Sequence, residues 1–192
     1  IIFLIKARII KSHNSRILIN NFSKILFFLL IISCSSNDYN NEFPNQNNDE
    51  EDQNDFAEID YGLTEYGITY QGIDRDFSIY IPESYTHDSP SSLIFIFHGF
   101  GGSNDFIMYT SDFNSISERE NFIVVYPQGS SFWGYPHWNV GGWTNGSSVN
   151  DVEFIDLLIE LISDQYNINQ DRVYATGMSN GGFFSYLLAC QL

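Results

Sequence analysis

Gly177-Met178-Ser179-Asn180-Gly181 lies between two apolar runs: Arg172-Val173-Tyr174-Ala175-Thr176, rich in β-branched and aromatic residues, and Gly182-Phe183-Phe184-Ser185-Tyr186-Leu187-Leu188-Ala189, which reads as the start of a helix. Strand, glycine-flanked serine and helix in this order predict a sharp turn that exposes the Ser179 hydroxyl. The serine backbone is expected to be strained, and the small residues at 177 and 181 to let strand and helix approach closely. A serine hydroxyl is a poor nucleophile unless a base takes its proton. The histidines of the sequence, His13, His87, His98 and His137, all precede Ser179. Where this turn is used, an Asp or Glu and then a His follow the serine along the chain. The sequence is therefore expected to hold a domain truncated after the nucleophile turn, with the nucleophile and the oxyanion donors but without the base.

Working back from the serine, Val152, Ile155, Ile159, Ile162 and Tyr166 recur at helical spacing, and Asn150 with Glu153 forms a capping pair. Leu93-Ile94-Phe95-Ile96-Phe97 and Phe122-Ile123-Val124-Val125-Tyr126 are continuous apolar runs, the pattern of strands covered on both faces. Asp105 to Arg119 between them reads as one helix. Ile68-Thr69-Tyr70 and Phe77-Ser78-Ile79-Tyr80-Ile81 alternate around Gln71-Gly72-Ile73-Asp74 and predict an antiparallel hairpin. The rhythm of strands and helices implies an α/β fold, a doubly wound, mostly parallel sheet with right-handed crossovers.

His98-Gly99-Phe100-Gly101-Gly102 directly follows a strand. In α/β-hydrolases that loop gives one oxyanion-hole N–H, and the residue after the nucleophile gives the other. Phe100 and Asn180 are the expected donors, and His98 is expected to brace the loop by hydrogen bonding rather than to act as base. The stretch from Pro127 to Asn150 is too long for a plain connection. Its Trp133, Tyr135, Trp138 and Trp143, with Gly141-Gly142, either line a cleft at the carboxyl ends of the strands or pack the loop onto the domain. The cleft reading makes Trp138, Asn139 and Trp143 substrate-binding residues.

Together, His98-Gly99-Phe100-Gly101-Gly102-Ser103, Tyr126-Pro127-Gln128-Gly129, Trp138-Asn139, Asp151-Val152-Glu153-Phe154-Ile155, Arg172-Val173-Tyr174 and Gly177-Met178-Ser179-Asn180-Gly181-Gly182 resemble the polyhydroxybutyrate depolymerase and feruloyl esterase family of α/β-hydrolases, from about Gly67 to Leu192. The resemblance implies an exported serine esterase without metal or cofactor. Its substrates would be polyester, or aryl or acetyl esters of plant polysaccharide. Ser179 matches the family nucleophile, and its Asp and His partners would lie beyond Leu192. Asp151 falls in a shared segment, although capping of its helix explains it without chemistry.

Charge divides the 192 residues. Of eight basic residues, Lys6, Arg8, Lys11, Arg16 and Lys24 precede position 25, which leaves Arg75, Arg119 and Arg172 against all 24 acidic ones. A folded part so acidic argues against nucleic acid or anionic lipid as a partner. Ile25 to Ile32 is an uninterrupted apolar run behind that basic segment, too short to span a bilayer and of the length of a secretory h-region. Ile31-Ile32-Ser33-Cys34 resembles a bacterial lipobox, with Cys34 as the acylated residue. The expected organisation is an export signal over 1–34, an acidic Asn- and Asp-rich disordered tether over 35–60, and the incomplete domain over 61–192. The membrane is then reached only through a lipid anchor. Cys190, the other cysteine, is a free thiol, half of a disulfide or a small buried core residue. Two other functions fit the same residues: a non-catalytic surface lipoprotein that binds carbohydrate or polymer through the Trp-rich loop, and a serine peptidase or acyltransferase of the same fold. Oligomeric state leaves no trace in the sequence.

Overall fold

In the computed structural model the described residues are 5–7 and 58–192. The expected lipobox cysteine Cys34 and the tether lie outside them. The chain runs through β1 (Ile5–Ala7), β2 (Gly62–Tyr70), β3 (Ile73–Ile81), β4 (Ser91–Phe97), α1 (Asn104–Ser111), α2 (Phe113–Glu120), β5 (Phe122–Pro127), β6 (Ser130–Phe132), β7 (Tyr135–His137), α3 (Asp151–Gln165), β8 (Ile168–Gly177) and α4 (Asn180–Gln191). Among the described residues six strands form one sheet in the order β1-β8-β4-β5-β3-β2, and β6 and β7 pair separately. Parallel pairing is confined to β5, β4 and β8, and the flanking pairs are antiparallel. β4 is the switch point: the chain leaves it for β5 on one side and later crosses to β8 on the other. Ligands of open α/β sheets bind at the carboxyl ends of strands at such a point.

The hairpin forms where the alternation predicts it. Gln71 (φ 51°) and Gly72 (φ 77°) make a two-residue turn with positive φ at both positions, which matches the twist of the strands it joins. The apolar runs of β4 and β5 are covered on both faces. Leu93, Phe95, Phe97, Ile123 and Val125 pack in the core that includes Phe154, Ile155, Leu158 and Ile162 of α3 and Phe184 and Leu188 of α4. Ile94, Ile96, Val124 and Tyr126 point the other way, toward Ile107 of α1 and Phe113 of α2.

Several expectations are corrected. The helix read over Asp105–Arg119 is two helices, because Asp112 adopts a left-handed conformation (φ 56°, ψ 26°) that ends α1 and begins α2. That break sits between Ile107 and Phe113, both buried on the same side of the sheet. The long stretch after β5 contains the small β6–β7 hairpin and a short 3-10 turn at Gly142–Thr144. Ile5–Ala7 form an edge strand paired with β8 in antiparallel register, which overturns no expectation. Cys190 is exposed and has no disulfide partner among the described residues, so it is not a buried core residue.

Asn150 caps α3 by accepting a hydrogen bond from the Glu153 N–H at 3.3 Å, which leaves Asp151 free for another task. Asp151 is buried and forms an ion pair with Arg75 of β3, Nη2 to Oδ1 at 2.8 Å. Its other oxygen accepts the Asn139 N–H at 2.7 Å. The guanidinium stacks 3.9 Å above the Phe154 ring and donates to the Gln128 carbonyl at 3.4 Å. One buried carboxylate thus ties β3, α3 and the long loop together. Arg75→Met would leave that carboxylate without its cation, and breaking a buried pair from one side costs about 3–5 kcal/mol. Urea denaturation should show a loss of this size in the midpoint-derived stability; a loss below about 1 kcal/mol would show that water takes over the arginine's part.

Candidate active site

Ser179 sits at the carboxyl end of β8 with φ 51° and ψ −114°, a backbone conformation sparsely populated by residues other than glycine. Such strain, of about 1–3 kcal/mol, persists only where its surroundings hold it. The surroundings here are backbone. The Met178 N–H donates to the Phe97 carbonyl at 3.0 Å, the Gly181 N–H to the Met178 carbonyl at 2.9 Å, and the Phe183 N–H to the Ser179 carbonyl at 3.0 Å. A Cβ at Gly181 would stand 2.4 Å from the Phe97 oxygen and 2.6 Å from the His98 oxygen, and one at Gly177 would stand 2.7 Å from the Phe97 oxygen. The elbow can close on the end of β4 only with glycine at both positions. Ser179 itself is exposed, and its hydroxyl has no hydrogen-bond partner among the described residues.

The loop after β4 lies against the serine: a Cβ at Gly99 would come 3.5 Å from the Ser179 Cβ. The Gly101 N–H donates to the Pro136 carbonyl at 2.7 Å and the Gly102 N–H to the Gly99 carbonyl at 3.0 Å. The Phe100 and Asn180 N–H groups have no acceptor among the described residues. Two open amides on segments that meet at the serine are the arrangement an oxyanion requires.

His98 is fully buried, and both ring nitrogens are engaged. Its Nδ1 lies 2.7 Å from the Gly99 carbonyl, and its Nε2 accepts the Gly129 N–H at 2.9 Å, with the Gln128 side-chain amide at 3.1 Å. A carbonyl only accepts and an amide N–H only donates, so the ring is neutral with its proton on Nδ1. The lone pair that would take a proton from serine is occupied. His137 is buried as well, with Nδ1 2.8 Å from the Ser130 carbonyl and its ring stacked on Phe132. His87 precedes β4, hydrogen-bonded through Nδ1 to the Tyr85 hydroxyl, at the opposite end of the parallel strands from Ser179. None of these three meets the serine.

The structure divides the expected cleft residues. Trp138 has 0% exposure and belongs to the core, stacked on Phe184 at 5.1 Å and edge-on to Phe97 at 5.0 Å. Its indole N–H donates to the His98 carbonyl at 3.0 Å, so no face or polar atom of the ring is left for a substrate. Asn139 is likewise spent on the loop: its Nδ2 donates to the Val149 and Ser147 carbonyls, and its Oδ1 accepts from the Gly141 N–H and the Thr144 hydroxyl. Trp143 is half exposed and packs edge-on against Phe100 at 5.3 Å, with Tyr135 on the same ring at 5.7 Å. An open apolar depression of about 580 Å³ beside the serine is lined by Phe100, Phe106, Pro136 and Met178 among others. Sequence reasoning did not single out Met178 and Phe106 for this site, and glycine-rich spacing alone carries no signal for them.

Burial holds the pKa of His98 below its ordinary 6.5, the hydrogen bond to Gly99 opposing this in part. The unfolded chain therefore binds a proton in a range where the folded protein does not. Stability from this group is fully present above about pH 6.5 and declines as pH falls from there toward the folded-state value. Thermal unfolding between pH 7 and 5 should show the midpoint dropping, with a shallower slope in His98→Gln; equal slopes would remove His98 as the cause.

The family model described as "Putative esterase" matches residues 69–192. The chain is 30% identical over 122 residues to the bifunctional acetylxylan esterase/xylanase XynS20E of Neocallimastix patriciarum, covering 64% of this chain and 17% of that protein. It is 34% identical over 116 residues to feruloyl esterase C of Emericella nidulans, covering 60% of this chain and 41% of that one. The chain thus spans less than half the length of these curated relatives. Among solved structures, an S-formylglutathione hydrolase from Agrobacterium tumefaciens superposes with a TM-score of 0.54 at 14% identity, over 67% of this chain and 53% of that one, a likeness of fold. With the elbow, the glycine loop and the doubly wound sheet in the places that an α/β-hydrolase fold requires, the chain belongs to this esterase family.

Proposed function

We propose that the protein is a serine carboxylic ester hydrolase acting on feruloyl or acetyl esters of plant polysaccharide. The observation that carries the reading is the strained, exposed Ser179, flanked by the open N–H groups of Phe100 and Asn180. The Ser179 Oγ attacks the ester carbonyl, and the negative charge that develops on its oxygen is met by those two amides. The alcohol leaves, an acyl-enzyme forms on Ser179, and water releases the acid. The proton from Ser179 needs a base, which we assign to a residue outside those described, since His87, His98 and His137 are placed or bonded otherwise. The depression lined by Phe100, Phe106, Pro136 and Met178 supports an apolar or aromatic group on one side of the scissile bond. The acetylxylan and feruloyl esterases among the relatives support polysaccharide esters over polyester. In the intact protein, Ser179→Ala should lower hydrolysis of 4-nitrophenyl acetate and methyl ferulate by about 10⁴-fold or more while leaving the fold intact. Undiminished hydrolysis by that variant would refute the assignment.

We further propose that the protein is exported and held at a cell surface by acylation of Cys34, with residues 35–60 as spacer. The basic flank, the short apolar run and the small residue before Cys34 support this. Cys34→Ala should abolish incorporation of a labelled fatty acid and move the protein out of the membrane fraction; unchanged labelling would place the lipid on another residue, and no labelling of the parent would refute the anchor.

A further inference from the structure

Asn180 is only 1% exposed although it follows an exposed serine. Its side-chain amide is committed to the main chain of a single residue: Oδ1 accepts the Trp138 N–H at 2.7 Å and Nδ2 donates to the Trp138 carbonyl at 3.0 Å. A primary amide carries donor and acceptor side by side, and no other side chain of this size offers both groups at that spacing. Trp138 is in turn immobile, gripped between Phe97 and Phe184 and bonded through its indole N–H to the His98 carbonyl. One residue of the long loop therefore holds the two segments that meet at the serine, the elbow through its main chain and the root of the glycine loop through its ring.

The consequence concerns the direction of one N–H. The orientation of the Ser179–Asn180 peptide depends on Ser179 ψ, which is held at −114° with a positive φ. Bonds from Met178 and Gly181 fix the backbone before and after that peptide. The peptide itself donates to nothing among the described residues. Two restraints act on its rotation: the Ser179 carbonyl accepts the Phe183 N–H at 3.0 Å from within the first turn of α4, and the Asn180 side chain ties the same peptide to a different segment, the long loop. Resting on the reading of Ser179 as nucleophile, we propose that Asn180 is a positioning residue whose side-chain clamp on Trp138 aims its own backbone N–H at the oxyanion. The same clamp sets the spacing of that N–H from the Phe100 N–H, because Trp138 also holds His98. The function is catalytic alignment rather than substrate contact, since the side chain is buried and saturated.

The test uses the intact protein and measures kcat and KM for 4-nitrophenyl acetate, together with inhibition by an aryl trifluoromethyl ketone, whose serine adduct carries an oxyanion. Asn180→Ala should lower kcat by about 10- to 100-fold, as a displacement of about 1 Å in a catalytic group does, with KM within about threefold. The inhibition constant should rise in step with the loss of kcat, a correlation that general loosening of the fold does not produce. Asn180→Asp keeps the side-chain volume and the acceptor for the Trp138 N–H but faces a carbonyl with an oxygen; it should show the same pattern, and it decides the matter if the alanine variant does not fold. A kcat within threefold of the parent in either folded variant, or a loss confined to KM, would overturn the proposal. Absence of Ser179-dependent turnover in the parent would instead refute the reading of Ser179, so the two failures are distinct.

Discussion

The approach of the nucleophile elbow to the carbonyls at the end of β4 is the contact on which the site depends. Gly177 and Gly181 lie so close to the Phe97 and His98 oxygens that a single methyl group at either would overlap backbone. Backbone cannot move aside as a flexible side chain does, so this closeness is a constraint on sequence as well as on geometry. It brings the β8–α4 turn and the β4–α1 loop together, and it fixes Ser179 in a conformation that would relax elsewhere. The core beneath supplies the rigidity. β4 and β5 are buried on both faces, and Phe97, Phe184 and Trp138 interlock directly under the turn.

A second layer of order is polar and buried. His98 keeps a neutral ring between Gly99 and Gly129, Asp151 joins Arg75 to the Asn139 amide, and Asn180 joins the elbow to Trp138. Each of these groups would be costly to bury alone, and each has at least one partner on a different segment of the chain. The result is a long loop between β5 and α3 that behaves as part of the scaffold. Its buried half holds the elbow and the glycine loop, while Tyr135 and Trp143 on its exposed half meet Phe100 at the rim of the depression.

Much of the framework of the candidate site was legible in the sequence because its signals are local. The elbow, the glycine loop, the capping of α3 by Asn150 and the hairpin at Gln71-Gly72 all rest on residues within a few positions of one another. What was not legible depends on distant partners. Nothing near Asp151 announces Arg75, which is 76 positions earlier, and nothing in a glycine- and tryptophan-rich loop distinguishes a ring that lines a cleft from one that fills the core. Trp138 and Trp143 are the same residue type five positions apart and have opposite fates. The core-facing one is recognised only by what surrounds it, the rings of Phe97 and Phe184. The break at Asp112 is similarly a tertiary outcome, in which one left-handed residue lets two short helices replace one.

The proposed chemistry rests on an exposed serine under strain beside two open amides, and its most direct test is to catch the covalent intermediate. The intact protein would be mixed with an excess of a slowly deacylated aryl ester, quenched in acid during turnover, and digested for mass spectrometry. An acyl group on the peptide containing Ser179, appearing at the rate of the initial burst and lost on standing, is the predicted result. Turnover without any acylated peptide, or acylation at another residue, would contradict the assignment of Ser179 as the nucleophile.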